Sequence, residues 1–300
     1  MHDDVRRLLR VVPDPLLRHL MYRRRFGRWG NFSSPSRFSE FLVRRLLQDR
    51  DDRFAWTCDK LRMKAFAARR CPNLMVPQTL WHGRDVSELP VSELPERWVL
   101  KPNHSSKRVF MGDRSTTTDE LHEATAGWLK VYDRHAVGEW AYGEAERTLI
   151  VEQHLGGGNS IDDFKFFVFH GRALLIEHMS GRFTDDDGER FYTRDWRSLD
   201  ISNCGPLHPP GPAPEGLEEM IAAAEELGRD FDFMRVDLYQ VDGRIWFGEL
   251  TPYPSGGMDP FEPESFDILL GAWWAGVDDV PTIARDLVDD GVLTGGGGRL

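Results

Sequence analysis

In a stretch that otherwise reads as packed strand, residues 234–257 carry charges that could do chemistry. MRVDLYQVDGRIWFGELTPYPSGG has two runs rich in Val, Leu, Tyr, Ile, Trp and Phe that meet at Asp242-Gly243, the pattern of a β-hairpin. Arg235, Asp237 and Glu249 interrupt it. A two-residue turn would send Asp237 and Glu249 to opposite faces. A three-residue loop, Val241-Asp242-Gly243 with its glycine in the αL position, is the next commonest solution. It sets Arg235 opposite Glu249, with Asp237 and Thr251 on the same face. It also gathers Val236, Leu238, Trp246 and Leu250 on the other face, so this loop is the expected one. Two carboxylates on one face repel unless a cation joins them. The row therefore reads either as a metal site or as the solvent side of an edge hairpin.

Other positions suit an anionic ligand. Lys60 falls in the first turn of a helix, where the macrodipole disfavours a cation unless an anion also arrives there. Lys101 leaves a strand beside the polar loop NHSSKRVF. There it can meet a phosphate as a point charge, supplemented by Ser105, Ser106 and loop backbone, with His104 nearby. Glu152 is a lone acid in the apolar run LIVEQHL. Burying it costs several kcal/mol unless donors are found: an adenine amino group with a lysine, or an internal arginine. Asp162 and Asp163 follow a glycine-rich turn and could accept from ribose hydroxyls. The chain lacks H-E-x-x-H, G-x-S-x-G and G-x-x-x-x-G-K-[ST] motifs, which argues against zinc hydrolase, serine hydrolase and P-loop chemistry.

These residues need rigid elements. Residues 1–55 read as short helices broken at Pro13, Pro15 and Gly27-Gly30. CDKLRMKAFAARR reads as a helix capped by Asp59. RWVLKPN is a strand closed by Pro102, TTTDELHEATAGWLKVY a capped helix, and RTLIVEQHL a buried strand. DFKFFVFHGRALLIEHM is a hairpin turning near His170-Gly171. Residues 181–214 are expected as one long polar, Pro-rich connection, followed by a helix near 215–229, the first hairpin described, and a C-terminal helical stretch. The order suggests α+β with sheets covered on one side.

Composition bounds the rest. Hydrophobic residues make up 40% of the chain, ample for a packed core, and no apolar run approaches the length of a membrane span. Three scattered cysteines and no recognisable signal segment fit a reducing cytoplasm. Net charge is −11, which disfavours nucleic acid as a partner. The first 55 residues nonetheless hold thirteen arginines against seven acids. That segment is either a solvated helix face packed through its leucines or a peripheral contact for an anionic surface.

Taken in order, CDKLRMKAF, WVLKPN, LIVEQHL…DDFKFFVF, MRVDLY and FGELTPYPSGG resemble the ATP-grasp superfamily. VLKPNH, DFKFFVFHGR, FYTRDW and GELT look closest to its teichuronopeptide-biosynthesis (TupA-like) branch. The resemblance covers roughly residues 56–260. It implies an α+β fold of two lobes whose antiparallel sheets sandwich Mg·ATP, preceded here by a short helical N-terminal segment. The expected division is 1–55 basic segment, 56–148 first lobe, 149–290 second lobe with the metal site, and 291–300 flexible tail. By motif position Lys60 and Lys101 would hold the phosphates, Glu152 the adenine amino group with Gln153 and Leu155, and Asp163 the ribose. Lys165 joins this nucleotide set. Asp237, Glu249 and Thr251 would bind two Mg²⁺ ions, Thr251 standing where many members have asparagine. Arg235, with Lys101, would face the transferred phosphoryl group. The implied activity is an ADP-forming carboxylate–amine ligase working through an acylphosphate; a kinase on the same grip and an ATP-binding scaffold are the alternatives. Arg182, Arg190 and Arg194, with Ser255, Gly256 and Gly257, are the expected contacts to the acid substrate or its oxyanion. The acid and amine themselves are small molecules or peptides.

Overall fold

The computed structural model describes residues 13–106, 108–130, 140–158, 161–181, 184–203 and 205–276. Arg182, the first twelve residues of the basic segment and the expected tail at 291–300 lie outside them. Helix α1 (Asp14–Phe26) starts after Pro13 and ends at Gly27, whose φ of 70° is the left-handed stop a glycine permits. Pro15 does not break the helix, because it sits in the first turn, where an N–H has no intrahelical partner. Three more helices follow: α2 (Phe38–Gln48), α3 (Asp52–Thr57) and α4 (Lys60–Arg70). Asp59 caps α4 as expected, its carboxylate accepting from the Arg62 N–H at 3.0 Å.

Two antiparallel sheets come next, and residues 149–153, expected to open the second lobe, are instead a strand of the first sheet, because they pair on both sides with its strands. Strands β1 (Thr79–Gly83), β2 (Arg97–Pro102), β3 (Phe110–Asp113) and β4 (Leu149–Gln153) form the first, in the order β1-β4-β2-β3. Helix α5 (Thr118–Thr125) covers its apolar side through Leu121, which packs with Trp98, Leu100, Leu149 and Val151. This helix stops before Gly127 rather than running on through the Trp-Leu-Lys stretch as expected, since Gly127 sits at φ 77°. The second sheet has six strands: β5 (Asp163–Phe169), β6 (Arg172–Ser180), β7 (Gly188–Thr193), β8 (Ser198–Leu199), β9 (Phe233–Val241) and β10 (Arg244–Thr251). Their order is β10-β9-β5-β6-β7-β8. Strands β7 and β8 correct the expectation of an unbroken connection across 181–214. All six residues of β7 are buried and pair with β6, so tertiary contact makes a strand where polar residues on both sides suggested loop.

Each face of the second sheet has its own cover. On one, Phe164, Phe166, Ile176, Val236, Leu238 and Phe247 pack against α6 (Leu217–Gly228) and against Met63 and Ala67 of α4. The other face is divided. Phe167, Phe169, Leu175, Phe191 and Phe233 lie under α2 and α7 (Ser265–Trp274), while the remainder carries charges. Arginines from the basic segment lock this cover down. Arg45 is buried, donates to the Phe233 and Pro252 carbonyls at 3.0 and 2.9 Å, pairs with Asp232, and lies 4.3 Å from the Trp274 ring centroid. Helix α1 packs through Leu17, Arg18 and Tyr22 while Leu16 and Leu20 are exposed, so its leucines are only part of its contact. No helix among the described residues is long and apolar enough to cross a membrane.

The β9–β10 hairpin reaches the expected face by a different route. Val241 pairs with Arg244, leaving a two-residue turn whose Asp242 and Gly243 have φ of 52° and 68°. This is the arrangement expected to separate Asp237 from Glu249. A β-bulge at Gly248 restores them, so that Asp237 pairs with Glu249 and Arg235 with Thr251. The two-residue turn also exchanges the aromatics ahead of the bulge: Phe247 takes the core place expected for Trp246, which falls opposite Tyr239. Glycine is required here because a Cβ at 248 would lie 2.7 Å from the Asp237 carbonyl oxygen. Gly248→Ala is expected to destabilise the protein by about 1–3 kcal/mol, the usual cost of overpacking. A urea midpoint equal to wild type would mean that the bulge does not depend on glycine.

Candidate functional site

A row of side chains crosses the charged part of the second sheet. Register sets Glu249 beside Asp237 and Asp237 beside Lys165, with Thr251 beside Arg235 one step along. Arg235 grips Asp237 with two parallel bonds, Nε to Oδ1 and an Nη to Oδ2, both 2.7 Å. The same guanidinium reaches Glu249 at 3.4 Å and the Thr251 hydroxyl at 3.3 Å. Thr251 donates to Glu249 at 3.0 Å. Lys165 pairs with Asp163 and reaches Asp237 at 3.3 Å. Burial alone would push Asp237, Lys165 and Arg235 toward neutrality, but opposite charges outweigh it. Burial raises Asp237, yet Arg235 and Lys165 hold its carboxyl below the usual aspartate range. Burial lowers Lys165 and Arg235, yet Asp163 and Asp237 raise the first, and Asp237 with Glu177 and Glu249 the second.

Facing this row, the first sheet and α4 bring lysines around one acid. Lys60 and Lys64 lie four residues apart and so share a helix face. Lys64 binds Glu152 Oε1 at 2.7 Å and the Thr79 hydroxyl at 2.6 Å, while Lys101 pairs with Oε2 of the same glutamate. Val99 and Thr79 are the strand partners of Glu152, which turns its carboxylate away from the Trp98–Leu100 core and toward the second sheet. Burial raises the Glu152 pKa, but Lys101 and Lys64 override it and hold the carboxyl below its ordinary value. Lys60 donates to the Ser105 carbonyl at 2.7 Å. Burial lowers its pKa; Glu249 of the second sheet supports its charge and Lys101 opposes it. The two charged clusters thus meet across one cleft.

Most of the expected residues gather here: Lys60, Lys101 and Glu152 from one side, Lys165, Arg235, Asp237, Glu249 and Thr251 from the other. Asp163, expected at a ribose, is 1% exposed and holds Lys165. Ser105 is buried with its carbonyl on Lys60, and Ser106 follows it. Gln153 donates its backbone N–H to the Gln78 carbonyl at 2.9 Å, and Leu155 lies two residues on, past the end of β4. Ser255, Gly256 and Gly257 form a tight turn after β10 with φ of 48°, 60° and 73°. Gly257 lies against α2, where a Cβ would be 2.9 Å from Leu42. Arg190 pairs with Asp200 at 2.8 Å, and Arg194 pairs with Glu225 of α6, the helix that covers the opposite face. These two arginines are not part of the cluster. Sequence reasoning missed Lys64, whose signal was its spacing from Lys60, and Glu177, an acid in step with Leu175 on β6.

The donor set fits a hard cation. Among the described residues no three His, Cys, Asp or Glu side chains converge as metal ligands. Two carboxylates and a hydroxyl do converge. That suits Mg²⁺, which takes one or two carboxylates and completes its shell with phosphate oxygens and water.

A sequence profile described as TupA-like ATPgrasp matches residues 40–275. None of the curated proteins matches by sequence. Solved structures that resemble the chain include a D-alanine–D-alanine ligase from Bacillus anthracis complexed with ATP, at 18% identity, 78% of this chain, 67% of that one and a TM-score of 0.43. An L-amino acid ligase from Bacillus licheniformis aligns at 15% identity over 72% of this chain and 49% of its own, with a TM-score of 0.45. The ATP-grasp ligase PsnB, complexed with a minimal precursor, aligns at 15% identity over 80% and 68%, with a TM-score of 0.44. The chain therefore spans between about half and two-thirds of the length of these proteins.

Glu152 generates a prediction about pH. A carboxyl held below its unfolded value stabilises the fold fully above that value, and the stabilisation is lost as pH falls through the lowered one. Glu152→Gln leaves the buried Lys64 and the half-buried Lys101 without their counter-ion, at an expected cost of about 3 kcal/mol near neutral pH. The gap to wild type should narrow below the ordinary glutamate value of 4.5. Urea unfolding of both proteins across that range checks it; a gap independent of pH would contradict the charge assignment.

Proposed function

The chain belongs to the TupA-like ATP-grasp family, and from that premise we propose that it is an ATP-dependent, ADP-forming carboxylate–amine ligase. The observation that carries the reading is the Arg235–Asp237–Glu249–Thr251 constellation on β9–β10, set opposite Lys60 and Lys101. Phosphoryl transfer needs positioning and charge neutralisation more than covalent help from the protein. In this reading Lys60 and Lys101 hold the ATP phosphates. Glu152 keeps lone pairs beyond those given to its two lysines and accepts from the adenine amino group. Gln153 and Leu155 offer backbone groups to the base edge. Asp237, Glu249 and Thr251 would hold one or two Mg²⁺ ions, which when bound would neutralise charge on the phosphates.

The reaction balances in two steps. A substrate carboxylate oxygen attacks the γ-phosphorus and ADP leaves, giving an acylphosphate. An amine nitrogen then attacks the acyl carbon, the carbon–oxygen bond to phosphate breaks, and amide, phosphate and a proton are released. Arg235 donates to the phosphoryl oxygens in the first step. With the backbone of the turn at Pro254–Gly257 it faces the oxyanion in the second.

A hydroxamate trap tests this. Protein is incubated with Mg·ATP, hydroxylamine and a panel of amino acids, peptides and uronic acids. Hydroxamate with matching ADP from one acid is the expected result. Asp237→Asn and Glu249→Gln should each lower it by about 100-fold or more while keeping the wild-type far-ultraviolet spectrum. Near-normal turnover in either variant would sink the metal assignment. ADP with a phosphorylated hydroxyl and no hydroxamate would make the protein a kinase.

A further inference from the structure

The reading above leaves one buried acid of the cleft unused. Glu177 on β6 pairs in register with Lys165, so it extends the row Glu249–Asp237–Lys165 by one strand on the same face. It is 5% exposed, and among the described residues its carboxylate makes no hydrogen bond or ion pair. The cations that face it are committed elsewhere. Lys165 from β5 holds Asp163 and Asp237, and Arg235 from β9 holds Asp237 and reaches Glu249. From β7 it meets Glu189, an acid whose own carboxylate accepts the Asn203 N–H at 2.9 Å. Desolvation is the largest influence on Glu177 and pushes its pKa up to about 7. A buried carboxyl without a counter-ion costs the fold stability. Its place in the cleft points to a cation that arrives from outside.

The chemistry of the reactants says which cation. Nucleotide and acid substrate are both anionic and would be repelled by Glu177. Of the three reactants, the amine is the one that carries positive charge before reaction. Lys165 stands between Glu177 and Asp237, which separates this carboxylate from the proposed Mg²⁺ ligands by two strand spacings, about 10 Å. Along this row the proposed order is ATP on the β9–β10 side and the second substrate on the β6–β7 side, with β5 between them.

We propose that Glu177 anchors the amine-bearing substrate by taking its ammonium group in a charge-assisted hydrogen bond. The proposal rests on the ligase reading for its substrate class. It makes the row a divided platform: cation-binding acids for Mg²⁺ at one end, an ammonium-binding acid at the other, and Lys165 with Arg235 between them.

The experiment compares two nucleophiles with the acid found by the trap. Hydroxylamine is largely uncharged at neutral pH, whereas glycinamide is largely an ammonium ion. Glu177→Gln should raise the KM for glycinamide and lower selectivity for glycinamide over hydroxylamine at least tenfold, with Glu177→Asp intermediate. Both variants are expected to fold, because neither adds volume nor strands a partner of Glu177. Equal loss with both nucleophiles would place Glu177 in acid activation and overturn the proposal, as would an unchanged selectivity. A binding measurement keeps this separate from the ligase reading. Glycinamide is titrated calorimetrically into Mg·ADP-loaded wild type and Glu177→Gln, and at least tenfold weaker binding to the variant is expected. Equal affinity, or none for wild type at millimolar glycinamide, overturns the anchor. A tenfold difference in binding without hydroxamate from any acid would overturn the ligase reading and keep the cation site.

Discussion

Everything in the cleft depends on one close approach of backbone to backbone. At Gly248 the chain of β10 lies so near the Asp237 carbonyl that no side chain fits, and the extra residue shifts every later position of β10 by one face. Without that shift Glu249 and Thr251 would point into the core beside Val236 and Leu238. With it they stand beside Asp237 and Arg235. A rigid hairpin fixes the angles between these groups better than a loop would, and phosphoryl chemistry needs charge held in place before the substrate arrives.

The same sheet face must be both dry and charged, and the fold meets this by dividing it. Helices α2 and α7 cover the phenylalanines at one end, with Arg45 tying α2 to the β9 backbone and to Asp232. The basic N-terminal segment is therefore part of what defines the site. Arg45 supplies donors to the Phe233 and Pro252 carbonyls, as buried backbone acceptors require. The aromatic half of the face supplies the packing against which the charged half is held.

Electrostatic balance keeps the charged half intact. Each acid in the row except Glu177 is matched by a lysine or arginine, and across the cleft Glu152 is shared by two lysines. Opposite charges hold the Asp237 and Glu152 carboxyls below their ordinary ranges despite burial, whereas Glu177, which has no such pair, is pushed up to about 7. Lys60 sits between the two clusters and, unlike Lys64, Lys101 and Lys165, makes no ion pair among the described residues, which suits a group awaiting a phosphate.

Local chemistry determined much of this in advance. The Asp59 cap, the β5–β6 hairpin at His170-Gly171 and the strand closed by Pro102 follow from side-chain hydrogen bonding, left-handed backbone freedom and the missing proline N–H, and all are present. The ordered set from Lys60 to Glu249 was legible through its resemblance to ATP-grasp motifs, whereas local chemistry by itself left the hairpin acids as either a metal site or a solvent face. What local chemistry could not decide was where partners come from. Strand β7 exists because β6 pairs with it, and its own residues resemble a polar connection. The face of Glu249 was read correctly through a wrong turn, because a loop of three residues and a two-residue turn with a bulge have the same parity beyond Gly248; before it they differ, and Phe247 rather than Trp246 faces the core. Lys64 and Glu177 stayed hidden because a lysine on a helix and an acid on a strand join these clusters only through their neighbours in the fold, Lys64 through Glu152 of the first sheet and Glu177 through its register with Lys165.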